Sequence, residues 1–209
     1  DQYMLCTANE LIDRVQNAYQ KYEFDEVYRS ILTYMTNDLS SFYLDFTKDI
    51  LYIEKADSHA RRSIQTVIYK IALALAKLLT PIIPHTAEEV YSYMPGNKED
   101  SIYLCEMPDC VKYPNAEELT TKFAEFNLLR ADILKALEEA RNAKVIGKSF
   151  AAEVTLYPAP HVAKLIKTLN FNLGQVFIVS KFNLSTTEID GVQYDSGTIK
   201  VEAAKGVVC

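Results

Sequence analysis

The sequence predicts a mainly α-helical protein in which an antiparallel helical bundle precedes a long helix and a small α+β domain. Apolar residues recur at helical spacing through residues 1–95, and strand-like alternation begins only at Ala152. Between these patterns lie Pro95, Gly96, Pro108 and Pro114, which favour turns and irregular chain. We therefore expect the bundle over residues 1–95, a linker over 96–114, and the long helix with the α+β domain over 115–209.

The first two predicted helices each carry one apolar face. Asp25 lies at the expected start of the second helix, where its carboxylate can accept free backbone N–H groups of the first turn. The faces consist of Leu11, Val15, Ala18, Tyr19 and Tyr22 in the first helix and of Val27, Ile31, Met35, Leu39, Phe42 and Phe46 in the second. This spacing predicts two amphipathic helices.

Two further helices follow a turn over residues 54–58. The third carries apolar residues over 64–79 and ends there, because the next residues include two prolines, which interrupt helices. Thr86 precedes Glu89 by three residues, which is the spacing of a capping box. A short fourth helix is therefore expected to begin at this box and to end near Met94.

The second half of the chain combines one long helix with short elements. A short extended piece is expected over 102–105, and the long helix should begin at Asn115 and end near Gly147. The other predicted elements are strands over 152–157, 176–182 and 198–203, a helix over 162–169, and turns at Asp190–Gly191 and Ser196–Gly197.

Composition excludes a membrane protein and a disordered chain. Of the 209 residues, 49% are hydrophobic and 24% are charged, which is typical of a globular protein. The longest apolar run, Ile71–Ala76, is far shorter than the about 20 residues that a membrane-spanning helix needs. Because the N-terminal residues also show no export signal, we expect a cytoplasmic protein without a membrane partner.

No motif in the sequence indicates catalysis or metal binding. The three histidines lie far apart, and none accompanies a serine or cysteine in a nucleophile motif. The 6 glycines form no phosphate-binding loop. Cys105 and Cys110 lie at the edge of metal-ligand spacing, but no second pair of cysteines or histidines follows them. The sequence therefore predicts no catalytic site, cofactor or metal in this chain.

Four segments, in this order, resemble the C-terminal part of bacterial-type isoleucyl-tRNA synthetases, which are class I enzymes. They are DLSSFYLDFTKDILY from Asp38, RRSIQTVIY from Arg61, LTPIIPHTAEEVY from Leu79 and LLRADILKALEEARNAKVIGKSFAAEVTLY from Leu128. The third segment also occurs in the valyl and leucyl relatives, whereas the first two favour the isoleucyl family. The resemblance spans nearly the whole chain.

The resemblance implies that the bundle is an anticodon-binding domain and that the α+β part is the junction before a zinc-binding knuckle. The family's His-Ile-Gly-His and Lys-Met-Ser-Lys-Ser signatures are absent from this sequence, so the resemblance implies a fragment that holds isoleucine-specific tRNA without catalysing the reaction. The parent enzyme would be a monomeric isoleucine-tRNA ligase that uses ATP, magnesium and zinc. Cys209 lies where the first zinc ligand of a truncated knuckle would be.

Any tRNA site must be a local basic patch, because neither half of the chain is basic overall. Residues 1–95 hold 9 Lys and Arg against 13 Asp and Glu, and residues 96–209 hold 13 against 15. On a helical wheel, Arg29, Ser40, Thr47 and Lys48 lie opposite the apolar stripe of the second helix. Each of these side chains either forms part of a solvated face or contacts the tRNA.

Further candidate tRNA contacts lie at helix ends. Arg62 is expected to face solvent at the start of the third helix. Lys144 and Lys148 flank Gly147, where they either complement the dipole of the long helix or contact the tRNA backbone. Three tyrosines either stack on unpaired bases or pack where helices meet, namely Tyr22, Tyr28 and Tyr43.

A structural ion pair is expected beside the bundle core. Arg61 borders the apolar stripe of the third helix, and Asp38 and Asp45 border that of the second. Because charges at the rim of a core are seldom left unpaired, we predict that Arg61 pairs with one of the two aspartates.

Three alternatives to the isoleucyl assignment remain open from the sequence. An acidic bundle with a linked α+β domain could be a protein-interaction module. The chain could also be the equivalent fragment of a valyl or leucyl synthetase. A free-standing enzyme is disfavoured, since no nucleophile, metal or phosphate motif is present.

Overall fold

The computed structural model of the protein describes residues 1–111 and 113–205. It divides into two compact units, with the boundary between Thr120 and Thr121. The predicted class, a mainly helical chain with a small α+β part, is confirmed. None of the described helices is long and apolar enough to cross a membrane.

The first unit is a bundle built around α1. Its helices are α1 (Gln2–Gln20), α2 (Phe24–Thr33), α3 (Asp45–Ile53), α4 (His59–Leu79) and α5 (Pro84–Tyr93). α1 packs against α2 and α4, and α4 also packs against α3 and α5. The α1 face toward the core is buried along its whole length, from Met4 through Val15 to Ala18. Leu11, Val15 and Ala18 of the predicted apolar face are buried, whereas Tyr22 lies beyond the end of α1 and is 79% exposed.

A π-helical segment, Tyr34–Leu44, joins α2 to α3. The sequence predicted one regular helix here, but the wider turns of a π-helix change the rotation of the residues that follow. Thr47, which was expected opposite the apolar stripe, is therefore 1% exposed, and its Oγ1 donates to the carbonyl of Tyr43 at 2.6 Å. The predicted cap was also wrong, since α2 begins one residue before Asp25, after Glu23.

The predicted capping box at Thr86 and Glu89 is wrong. α5 begins at Pro84, two residues before Thr86, because a proline at the first helical position removes an N–H that would have no partner. Glu88, the residue before Glu89, binds the chain after α5 instead. Its carboxylate accepts from Ser101 Oγ at 2.8 Å and from the Ile102 amide at 3.0 Å.

The segment predicted as a linker belongs to the first unit. Residues 102–104 form a 3-10 turn rather than an extended piece, and Ile102 is buried against Ala76, Ala87 and Tyr91. Further along, Gln16 Nε2 donates to the carbonyl of Pro108 at 2.6 Å. These contacts hold the chain against helices of the bundle, which composition alone could not show.

The long helix α6 spans Ala116–Asn142 and ends earlier than predicted. The left-handed residue after it is Lys144, with φ 59°, rather than Gly147. The Val145 amide donates to the carbonyl of Ala140 at 2.9 Å, so the last carbonyls of α6 are satisfied by a tight turn. The buried face of α6 within the second unit consists of Phe126, Leu129, Ile133, Ala136 and Leu137.

The second unit contains a four-stranded sheet. Its elements after α6 are a 3-10 turn (Ser149–Ala151), β1 (Ala152–Pro158), α7 (Pro160–Thr168), α8 (Leu173–Val176), β2 (Lys181–Leu184), β3 (Val192–Tyr194) and β4 (Gly197–Ala203). The strand order is β2-β1-β4-β3, with β1 parallel to β2 and antiparallel to β4. The predicted strands at 152 and 198 are confirmed, and so is the helix at 162.

The predicted strand over 176–182 is wrong in most of its length. Val176 ends α8 and the strand begins only at Lys181, because the buried side chains of Val176 and Phe177 can fill the core from a helical turn as well as from a strand. β3 was missed altogether. Its hairpin with β4 requires Gly197, whose φ is 129° and whose added Cβ would lie 2.2 Å from the carbonyl oxygen of Tyr157.

Candidate nucleic-acid interface

Two of the predicted tRNA contacts are engaged by carboxylates of their own helices. Arg29 pairs with Asp25 one turn earlier, and Lys48 pairs with Asp45 at 2.7 Å. The hydrogen bond to Asp45 raises the pKa of Lys48. Both pairs are well exposed, so the cations are accessible but partly neutralised.

The predicted ion pair of Arg61 does not form. Arg61 Nη1 donates instead to the backbone carbonyl of Glu54 at 2.8 Å, which ties the start of α4 to the preceding turn. Asp45 is engaged by Lys48, and Asp38 has no cation within 4 Å among the described residues. The wider turns of the π-helical segment rotate the helix that carries both aspartates away from its expected orientation.

Asp38 lies instead beside a polar cavity of about 290 Å³ between α1 and the α2 region. Burial raises the pKa of Asp38, and the nearby Glu10 carboxylate raises it further. Arg14 and Arg29 also line this cavity. Burial and the Glu10 carboxylate therefore disfavour the charged form of Asp38, even with these two arginines on the cavity wall.

Arg62 faces solvent, as expected from the wheel. The side chain is exposed, and its guanidinium has no hydrogen-bond or ion-pair partner in the described parts of the chain. The backbone carbonyl of Arg62 accepts from Thr66 Oγ1 at 2.8 Å, a contact within α4 that leaves the guanidinium unengaged. Among Arg29, Lys48 and Arg62, the guanidinium of Arg62 is therefore the group without a carboxylate partner in the described chain.

The candidate stacking tyrosines have different environments. Tyr43 is 1% exposed and its hydroxyl donates to the Asp1 carboxylate at 2.6 Å, so this ring cannot meet a base. Tyr22 and Tyr28 are 79% and 63% exposed. A further tyrosine, Tyr52, was not predicted from the sequence and is 86% exposed just before the turn that leads to Arg62.

Lys144 and Lys148 lie on one exposed turn after α6. Arg141 Nη2 donates to Ser149 Oγ at 2.9 Å across this turn, and Lys148 Nζ lies 5.5 Å from the centre of the Phe150 ring. Residues 140–150 contain no Asp or Glu. Arg141 and Phe150 were not predicted as candidate contacts, although this acid-free run is a signal that the sequence contains.

No metal centre is formed by the described residues. Within residues 1–111 and 113–205, no group of three or more His, Cys, Asp or Glu side chains could hold an ion. Cys105 Sγ lies 3.3 Å from the Tyr91 hydroxyl, and Cys110 Sγ lies 3.6 Å from the carbonyl of Asn9. Cys209, the predicted first zinc ligand, lies outside the described residues.

Comparison with known families identifies the class of this bundle. Residues 1–156 match the anticodon-binding domain of tRNA ligases. Since the match covers most of the chain, the chain belongs to this family, and the resemblance noted in the sequence is confirmed. Anticodon-binding domains bind tRNA, so the family does not favour the alternative of a protein-interaction module.

Three similar relatives are isoleucine–tRNA ligases. The whole chain is 48% identical to an isoleucine–tRNA ligase of Bacillus cytotoxicus and 49% identical to those of Bacillus cereus strain AH820 and Bacillus anthracis strain CDC 684. The chain spans 23% of the length of each of these relatives.

Proposed function

We propose that this chain is the anticodon-side part of an isoleucine–tRNA ligase and that it binds isoleucine tRNA. The observation that carries the proposal is the identity of 48–49% over the whole chain to isoleucine–tRNA ligases. The complete protein would be monomeric and cytoplasmic and would attach isoleucine to its tRNA with ATP, magnesium and zinc. This part supplies binding, and we expect no isoleucine-dependent exchange of ATP and pyrophosphate from it alone.

We further propose that the phosphates of the tRNA meet Arg62, Lys144 and Lys148. The exposure of these three side chains supports the choice, because a cation without a carboxylate partner loses least when it binds a phosphate. Arg29 and Lys48 would contribute less, since Asp25 and Asp45 compete for them.

The proposal is tested by titrating the chain with labelled isoleucine tRNA, and with valine tRNA for comparison, at several salt concentrations. If about three phosphates are neutralised, the logarithm of the affinity should fall with the logarithm of salt with a slope of about −2. Arg62→Ala should reduce the magnitude of that slope by about 0.7.

Arg61→Ala is the matched control for this test. Its hydrogen bond to the Glu54 carbonyl gives Arg61 a structural role, so the variant should melt earlier and keep the slope of the wild-type chain. A slope of zero, or equal affinity for both tRNAs, would contradict the proposed function.

A further inference from the structure

Three separate segments of the second unit meet at the start of β1. Arg141 Nη2 donates to Ser149 Oγ at 2.9 Å. The Ala204 amide, after β4, donates to the carbonyl of Ala151 at 2.8 Å. The Ser180 amide, before β2, donates to the carbonyl of Ala152 at 3.0 Å. Residues 141, 180 and 204 are therefore brought beside one short stretch of chain.

Each of these contacts places a basic residue at the same end of the sheet. The basic residues are Arg141 itself, Lys148 next to Ser149, Lys181 next to Ser180 and Lys205 next to Ala204. All four side chains are exposed. They come from four places along 65 residues of sequence, so the acid-free run over residues 140–150 indicates only Arg141 and Lys148 of the cluster.

Two carboxylates at this end of the sheet, Glu153 on β1 and Glu202 on β4, are already engaged. Glu153 on β1 pairs with Lys181 at 3.3 Å. Glu202, which lies opposite Glu153 on β4, pairs with Lys200 at 3.0 Å. A hydrogen bond from Asn183 lowers the pKa of Glu153, and the ammonium groups of Lys181 and Lys205 lower it further. Within the described chain, Arg141, Lys148 and Lys205 have no carboxylate within ion-pair distance.

An aromatic ring accompanies one of these cations, Lys148. Phe150 is 47% exposed, and the ammonium of Lys148 lies 5.5 Å from the centre of its ring. Cations that track phosphates, together with an exposed ring on which a base can stack, are what proteins use to bind unpaired RNA. A partner that offers only carboxylates would leave the Phe150 ring without a stacking contact.

We propose that the β1-start surface, formed by Arg141, Lys148, Phe150 and Lys205, binds the phosphate backbone of RNA and stacks an unpaired base on Phe150. The proposal rests on the proposed function, since the RNA would be the bound tRNA. It goes beyond that function by adding Arg141, Phe150 and Lys205, of which Lys205 is brought to the start of β1 by the fold.

The test compares two double variants of the whole chain with equal change in charge. Lys148→Gln with Lys205→Gln removes two cations of the surface, and Lys164→Gln with Lys167→Gln removes two exposed lysines of α7. The first variant should reduce the magnitude of the salt slope for isoleucine tRNA by about 1.4 and weaken binding roughly tenfold at 0.1 M salt. The α7 variant should bind within about twofold of the wild-type chain, because its lysines are placed outside the proposed contact.

Phe150→Leu separates stacking from charge. This variant should lose about fivefold in affinity with the salt slope unchanged, because stacking releases no counterions. Should the lysine variants melt early, acetylation of the wild-type chain gives the same answer: bound tRNA should protect Lys148 and Lys205 and leave Lys164 and Lys167 reactive.

Equal losses in the two double variants, or no protection of Lys148 and Lys205, would overturn the β1-start surface while tRNA binding by the wild-type chain would still support the proposed function. Failure of the wild-type chain to bind any tRNA would overturn both.

Discussion

Charged side chains of this chain form ion pairs and hydrogen bonds with nearby groups more often than their sequence positions suggest. Arg29 and Lys48 pair with carboxylates one turn away, and Arg61 holds a backbone carbonyl. Helical spacing shows which residues share a face, but the choice between a backbone and a carboxylate partner depends on the conformation of the neighbouring turn, here the turn before α4. The sequence therefore separated Arg61 from the solvent-facing Arg62 correctly, but it did not predict that the partner of Arg61 is a backbone carbonyl.

Asp38 gives a prediction about pH. Burial and Glu10 raise its pKa in the folded protein above the value of about 3.9 expected for the unfolded chain. The folded state then binds more protons than the unfolded state between these values, so stability falls as the pH rises through this window. Asp38→Asn should remove that loss, and its urea midpoint at pH 7 should exceed that of the wild-type chain.

The gain from Asp38→Asn should disappear below about pH 4, where the wild-type carboxyl is protonated in both states. Asp45→Asn is the control, since Asp45 has an exposed pair with Lys48, and its loss should cost less than about 1 kcal/mol. A gain for Asp38→Asn that is the same at every pH would show that charge is not the cause.

For the helices and strands, the periodicity of apolar residues was sufficient to locate most helices. It was not sufficient where the number of residues per turn changes. It located α1, α4 and α6, whose buried faces repeat over several turns. The wider turns over Tyr34–Leu44 leave no signature in the spacing, and they moved Thr47 into the core. β3 was missed because its three residues are too few for an alternating pattern.

The segment between α5 and α6 gives a prediction about the stability of the bundle. Ile102 is 2% exposed, although proline and glycine around it indicated a linker. Ile102→Ala should lower the free energy of unfolding by about 2 to 4 kcal/mol, because it leaves a cavity between helices of the bundle. Leu104→Ala, at a position 65% exposed on the same turn, should change it by less than about 0.5 kcal/mol. Urea denaturation followed by circular dichroism measures both, and equal small effects would restore the linker interpretation.

The candidate site contains both residues that are close together in sequence and a residue that only the fold brings to them. Lys144 and Lys148 could be found from the sequence because they flank the end of one helix. Lys205 could not, since it reaches the start of β1 only through the pairing of β1 with β4. Local spacing thus predicts single contacts, whereas a surface assembled from distant segments requires the sheet register.

At the scale of the whole molecule, a net charge of −6 has to coexist with the proposed binding of tRNA, a polyanion. The two compact units each expose cations free of carboxylates in the described chain, Arg62 in the first and the β1-start surface in the second. Repulsion from the remaining acidic surface should keep binding weak and make it sensitive to salt. It should also discourage contacts with RNA outside these cations.

The most direct measurement compares two halves of isoleucine tRNA as ligands for the whole chain. The anticodon stem-loop and an acceptor-arm minihelix of similar length carry similar charge, so non-specific attraction should be alike for both. We predict that the chain binds the anticodon stem-loop about tenfold more tightly, which corresponds to about 1.4 kcal/mol. Equal affinity for the two RNAs, or a preference for the acceptor arm, would contradict the assignment of this chain to the anticodon side.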